Sequence, residues 1–280
     1  RTISDFYCRS RKIKKNPEGH IFLTAGLGGM SGAQPKAGNI AKCITICAEV
    51  NPKAIQIRHS QGWVDEVYSS VDTQKHKEVV SIAYQGNVID VWEAFFDAGV
   101  FVDIGSDQTS LHNPWAGGYY PIEMSFEEAN KMMNEAPELF KENVKKSLLR
   151  HAKIVKKHTD QGTYFFDYGN AFLLEASRAG AEILKENNED FIYPSYVQDI
   201  MGPMCFDYGF GPFRWVCTTG SNEDLAKTDA IACEVLENIQ TTAPPEIQQQ
   251  MQDNIQWIKG AQSNNLVVGS KARILYADAE

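Results

Sequence analysis

The chain has 280 residues, 27 Lys and Arg against 36 Asp and Glu, a net charge of −9, and 43% hydrophobic residues. That length and composition suit one large globular domain or two ordinary ones. With no basic block beyond the short 9–15 run, and no apolar run near the ~20 residues of a bilayer span, they exclude nucleic-acid and membrane partners.

The N-terminus shows no signal-peptide pattern and no initiator Met, so we expect a piece of a longer polypeptide. Six cysteines without framework spacing point to a reducing, cytoplasmic compartment. Scattered histidines and the lack of a Cys-x-x-Cys pair give no support to a metal site. Residues 1–18 read as an entering helix or linker that breaks at Asn16-Pro17-Glu18-Gly19. Residues 21–25 (IFLTA) read as a buried strand, 26–32 as a glycine-rich turn, 33–43 as a helix and 44–50 (ITICAEV) as a second strand. Residues 53–70 are mixed. A strand at 78–84, a helix at 88–98 and a strand at 100–104 follow, the last running into a polar turn at 105–112. Beyond a Gly, Pro and Tyr loop at 113–121, residues 125–162 read as one long helix, with Ser125 and Glu128 spaced as a capping box. A strand at 163–168 and a helix at 171–187 lead to an aromatic, aperiodic stretch at 191–220. Residues 221–280 are helical again with a terminal strand at 272–276. The alternation of strands and helices predicts an α/β fold: a Rossmann-like parallel sheet at 1–193, and part of a second α/β core domain at 194–280.

Gly26-Leu27-Gly28-Gly29-Met30-Ser31 matches G-x-G-x-x-[small] and sits between the first strand and the first helix. The first glycine permits a tight turn, the second a close backbone approach to a pyrophosphate, and the third position asks for a small side chain. Backbone N–H groups at the helix start then face the phosphates. Glu49 ends the second strand 20 positions after Gly29 (49 − 29 = 20). An acid there bonds ribose hydroxyls and repels a 2′-phosphate, so NAD is favoured over NADP.

Three later strand ends carry polar turns, at Gln85–Asn87, at Asp107–His112 and at Asp167–Asn170. In an open parallel sheet these ends face the ligand crevice. Neutral polar groups there reach an amide or ribose without placing charge beside a nicotinamide cation. His112 suits an acid or base equally as well as a loop hydrogen bond.

The strings TAGLGGMSGAQPKA (24–37), DQTSLHNP (107–114), GGYYP (117–121), FDYGN (166–170) and GFGPFRW (209–215) together resemble the urocanase family. GMSGAQ, GWVDE, GGYYP and YPSYVQ resemble its eukaryotic-type branch. The resemblance implies a fragment of a protein about twice as long, with an NAD domain inserted in a core domain. It implies a homodimeric hydro-lyase of histidine breakdown that adds water to urocanate, with NAD+ held tightly as an electrophile. Carried over by position, Gly29, Met30 and Ser31 meet the pyrophosphate and Glu49 the ribose. Asn87, Val88, Gln108, Thr109, Ser110, Leu111, His112, Tyr119, Tyr120 and Tyr168 lie beside the cofactor. An Arg that some members place just beyond the acid falls on Ala54, next to Lys53. The catalytic Cys of bacterial members falls on Asp207, with Cys205 two residues earlier. Asp207 is the favoured replacement, and Arg214 the candidate for the substrate carboxylate. Asp107, His112 or Tyr168 could carry protons. Left open are an ordinary NAD-dependent dehydrogenase and a non-catalytic NAD-binding fragment.

Overall fold

The computed structural model describes residues 19–29, 31–71, 79–109, 111–169, 171–204, 206–208, 213–217, 219–263 and 272–275. The entering helix or linker expected at 1–18, and Met30, Ser110, Asn170 and Cys205, lie outside the described residues.

One compact unit is Glu18–Gln198. The domain change read from sequence sits at Tyr193–Pro194. The unit contains six strands, β1 (Ile21–Ala25), β2 (Ile44–Glu49), β3 (Glu66–Tyr68), β4 (Val80–Gln85), β5 (Ile104–Asp107) and β6 (Tyr164–Asp167). They form one sheet in the order β3-β4-β2-β1-β5-β6, with every pair parallel. The chain winds outward from β1 through β2 to β4, then returns to the other side of β1 with β5. That reversal opens a crevice at the carboxyl ends of β1 and β5, where doubly wound sheets hold ligands.

Both faces of the inner strands are covered, so they are apolar throughout rather than alternating. On one face Ile21, Leu23, Ala25, Ile44, Ile46, Val80 and Ile82 pack with Trp92 and Phe95 of α3 (Val88–Asp97). On the other, Leu27, Cys47, Val64 and Ala83 pack with Ile55 of α2 (Pro52–Ser60). Helix α1 (Gln34–Ala41) follows a short 3-10 turn at Ser31–Ala33. It approaches the sheet so closely that a Cβ on Gly38 would lie 1.8 Å from Thr45 Oγ1. Asn51 and Asn87 cap α2 and α3 by accepting from Lys53 N and Ile89 N.

Four sequence expectations need correction. The strand expected at 100–104 is β5, Ile104–Asp107. Its polar string Gly-Ser-Asp is fully buried because it pairs with β1 and β6. Gly105 belongs there because a Cβ would meet the Trp92 ring at 2.5 Å. The single helix expected at 125–162 is two, α4 (Phe126–Glu135) and α5 (Pro137–Asp160). Pro137 disfavours helical backbone at Ala136, which sits at φ −143, and then opens α5 at its first position. The capping box of Ser125 and Glu128 is present at the start of α4. The helix expected at 171–187 is α6, Phe172–Arg178. Gly180 turns the chain at φ +102, and Leu184 pairs antiparallel with Phe191. Finally, the mixed 53–70 stretch holds α2 and the three-residue edge strand β3, too short to show a period.

The other unit takes the chain from Asp199 onward. Its described residues include β7 (Phe213–Val216), α7 (Asn222–Thr242), α8 (Pro245–Ser263) and β8 (Ala272–Leu275). Helices α7 and α8 pack on each other, and β7 pairs antiparallel with β8. No helix among the described residues is long and apolar enough to cross a membrane.

Candidate functional site

At the end of β1 the chain turns at Gly26, with φ +97, while Gly26 N donates to Ala48 O at 2.8 Å. A side chain there would be strained and crowded: its Cβ would stand 3.0 Å from Ser31 Oγ and 3.1 Å from Gln108 O. Ser31 is more than a small residue for close packing, because its hydroxyl accepts Gly28 N at 3.0 Å and closes the turn on itself. Gly32 N donates to Gly28 O, starting the helical path behind it. Leu27, between the glycines, is buried under the turn and anchors it to the sheet.

Glu49 ties this turn to the end of β2. Its Oε2 accepts Leu27 N at 2.7 Å and its Oε1 accepts Asn51 N at 2.8 Å. Burial raises its pKa, and these N–H donors work against that rise. The two carboxylate oxygens together offer about four lone-pair directions, more than the backbone donors occupy, and Glu49 lines the cleft.

Arg58, on the last turn of α2, reaches the same glycine turn from behind. Its Nε donates to Leu27 O at 3.2 Å, and its Nη2 to Gly28 O at 2.5 Å and Gly29 O at 3.5 Å. Its Nη1 donates to Gln61 Oε1 at 2.8 Å, and its Cζ lies 4.6 Å from the Trp63 ring centroid. Ala54, one helical turn earlier, packs against the small apolar cluster instead. Sequence reasoning missed Arg58. Its signal is only a lone Arg in a segment without clear period.

The cleft holds about 150 Å³ of accessible space and opens to solvent at its mouth. Gly26, Gly28, Ser31, Glu49, Gly86, Asn87, Val88, Gln108 and Thr109 come from the four inner strand ends, and a loop adds Gly117 to Tyr120. None of the described lining residues is a Lys or Arg. Asn87 donates from Nδ2 to Tyr120 O at 2.9 Å while capping α3, so it joins two walls. Gln108 Oε1 is buried and has no hydrogen-bond partner among the described residues. Asp107 accepts both the N–H and the hydroxyl of Thr109, at 3.0 and 2.5 Å, and is 1% exposed. Tyr119 is buried, its hydroxyl 3.1 Å from Nδ1 of the fully buried His151 on α5. Burial pushes the Tyr119 phenol well up and pulls His151 down to about 3, so the imidazole is neutral near pH 7. This pair also escaped the sequence reading, since 32 residues separate its members.

Other expected residues are placed differently. The Leu111 side chain belongs to the core. His112 is exposed; burial raises the Asp167 pKa, and the Gly169 N–H and the neighbouring His112 work against that rise. Tyr168, beyond the end of β6, stacks on Tyr196 at 4.6 Å between centroids. In the other unit Asp207 is exposed in a 3-10 turn, Phe206–Tyr208, and Arg214 pairs with Ile274 through the β7–β8 backbone.

A half-buried acid tied to a glycine turn at the switch point of a parallel sheet is the arrangement of a nucleotide-binding fold. Residues 2–200 match the family model described as the Urocanase Rossmann-like domain. The chain belongs to the urocanase family. Residues 203–280 match the Urocanase C-terminal domain. Over 274 residues the chain is 52% identical to the probable urocanate hydratase of Caenorhabditis elegans, covering 93% of this chain and 41% of that protein. It is 53% identical over 272 residues to the probable urocanate hydratase of Dictyostelium discoideum, covering 93% and 40%. It is 49% identical over 276 residues to the urocanate hydratase of Homo sapiens, covering 93% and 41%. The chain thus spans about two fifths of the length of the curated relatives it matches.

Proposed function

We propose that this chain is the cofactor-bearing part of a urocanate hydratase, a hydro-lyase that adds water to urocanate to give imidazolonepropionate, with NAD+ tightly bound. The observation that carries the reading is the cleft at the β1/β5 crevice, whose glycine turn is tied to the half-buried Glu49, in a chain about half identical to proteins named urocanate hydratase.

The fit to NAD rests on three features. Gly28 and Gly29 give the turn a stretch of backbone without side chains of its own, and a Cβ on Gly29 would meet nothing within 4 Å. Glu49 has acceptor capacity left for ribose hydroxyls and would repel a 2′-phosphate. Gln108 offers an acceptor whose buried oxygen has no partner among the described residues, suited to an N–H donor such as a carboxamide. In this reading Gly29, Met30 and Ser31 hold the pyrophosphate and Glu49 the ribose. Asn87, Val88, Gln108, Thr109, Ser110, Leu111, His112, Tyr119, Tyr120 and Tyr168 enclose the rest. When bound, NAD+ supplies an electrophilic ring to the electron-rich imidazole of urocanate. Among the described lining residues no Lys or Arg stands to repel that cationic ring.

The chain's own groups orient the reactants, exclude water and move protons. Asp107, held by Thr109 at the end of β5, His112 and Tyr168 are the proton-transfer candidates of this unit. Arg214 is the candidate for the substrate carboxylate. Asp207 stands where bacterial relatives carry the catalytic Cys, with Cys205 two residues before it. The resemblance also supports a cytoplasmic homodimer. The domain assignment follows the sequence reading, with the cofactor domain at 1–193 and the substrate-side core beginning at 194.

The test uses the intact polypeptide. Loss of urocanate absorbance, with bound NAD recovered on denaturation and no net NADH formed, is the expected result. Net NADH formation with a different substrate, or urocanate left unchanged, would sink the hydratase reading.

A further inference from the structure

We propose that Arg58 sets the anion affinity of the phosphate turn from behind, as a positioning residue that touches no ligand itself. The inference rests on the dinucleotide reading of the cleft and names the charge that this reading lacks. A pyrophosphate is a dianion. The cleft that would take it presents the Glu49 carboxylate and, among the described lining residues, no Lys or Arg. Backbone N–H groups and a helix start alone would have to offset both charges.

Arg58 fills that gap. Its guanidinium engages the carbonyls of Leu27, Gly28 and Gly29 in one fork. A trans peptide carries its C=O and N–H on opposite sides. Holding Gly28 C=O against Nη2 therefore turns Gly29 N–H away from the arginine. The guanidinium stays charged at any working pH. Its charge is partly desolvated, since it is wedged between the turn and the Trp63 face. It therefore acts on a bound anion through less water than an exposed Lys would. Gly32 is the matching half of the device. A Cβ there would fall 2.1 Å from Arg58 Nε and 2.7 Å from Cζ. Glycine is required at that position by the arginine and not by its backbone angles, because Gly32 has no positive φ.

Two variants of the intact polypeptide, stripped of bound nucleotide, test the idea: Arg58→Met, which removes the charge, and Gly32→Ala, which displaces the guanidinium with the residue still present. NAD and ADP-ribose are titrated at low and high salt, alongside Arg58→Lys and the thermal melting of each ligand-free protein. Both ligands are expected to bind about 10- to 100-fold more weakly to Arg58→Met and Gly32→Ala, the weight of one or two charge-assisted hydrogen bonds. The fall of affinity with salt should flatten in Arg58→Met and persist in Arg58→Lys, because only the latter keeps a charge to be screened. Affinity within about twofold of the parent in a folded Gly32→Ala or Arg58→Met would overturn the proposal. So would a loss of affinity with unchanged salt dependence and lowered melting, which marks a structural brace alone. A parent protein that binds neither ligand would count against the dinucleotide reading itself.

Discussion

Single side chains in this cleft do two jobs at once, and their variants should show both. Glu49 accepts two backbone N–H groups and faces the cleft with its remaining lone pairs. Glu49→Gln must set an NH2 against either Leu27 N–H or Asn51 N–H, costing about 1–3 kcal/mol of stability. It should also weaken NAD by tenfold or more, read by calorimetric titration. Burial raises the Glu49 pKa above its ordinary 4.5, so in the empty protein the proton is held more tightly than in an unfolded chain. A ribose hydroxyl donating to the carboxylate favours the ionised form. NAD affinity should therefore fall as pH drops through that raised pKa, with proton release on binding in the same window. Glu49→Gln should abolish that pH dependence. For His151 the sign is different. Its folded pKa, about 3, lies below the ordinary 6.5 because burial disfavours the imidazolium. Between those values the unfolded chain binds a proton that the native protein does not. The stability present above pH 6.5 should thus be lost by up to about 1.4 kcal/mol per pH unit as pH falls towards 3. Urea melts across that range check it, and His151→Asn should flatten the slope.

At the scale of elements, close approach rather than periodicity decides the layout. Strand β5 reads as a polar turn, yet its Gly-Ser-Asp string is buried in mid-sheet. Ser106 satisfies its hydroxyl with Thr24 at 2.8 Å across the β1/β5 pair. Gly105 leaves the space that the Trp92 ring of α3 occupies. Gly105→Ala should destabilise the unit by about 1–3 kcal/mol through overpacking, measured by denaturant melts. The helix elements are more transparent. Asn51, Asn87 and the Ser125/Glu128 box cap helices at the positions their residue types favour. Pro137 splits a 125–162 helical pattern because the residue before a proline resists helical backbone.

For the whole molecule, the Rossmann-like family match ends at residue 200 and the C-terminal match begins at 203, beside the boundary between the two units at Gln198 and Asp199. A ligand that binds only the folded state stabilises it by mass action. NAD at 100 times its dissociation constant should raise the stability of the intact polypeptide by about 2.7 kcal/mol. NADP at equal concentration should give a much smaller rise in melting temperature, since its 2′-phosphate would meet Glu49. Equal shifts for the two nucleotides would contradict the role assigned to that acid.

By itself the sequence determined the α/β class, the order of the inner strands along the chain, the glycine turn and the acid 20 residues after it, and the family. Those are local facts: burial pattern, turn chemistry and spacing are written in contiguous residues. Tertiary structure decided the rest. It placed the polar β5 string inside the sheet, because its neighbours in space and not in sequence bury it. It spent Glu49 on the turn as well as on the cleft, and Ser31 on closing the turn. It brought Arg58 beneath the glycines from 30 residues away, and His151 against Tyr119 from 32. Hydrogen bonds between residues so far apart have no period and no motif, so they become visible only when the strands have brought their ends together.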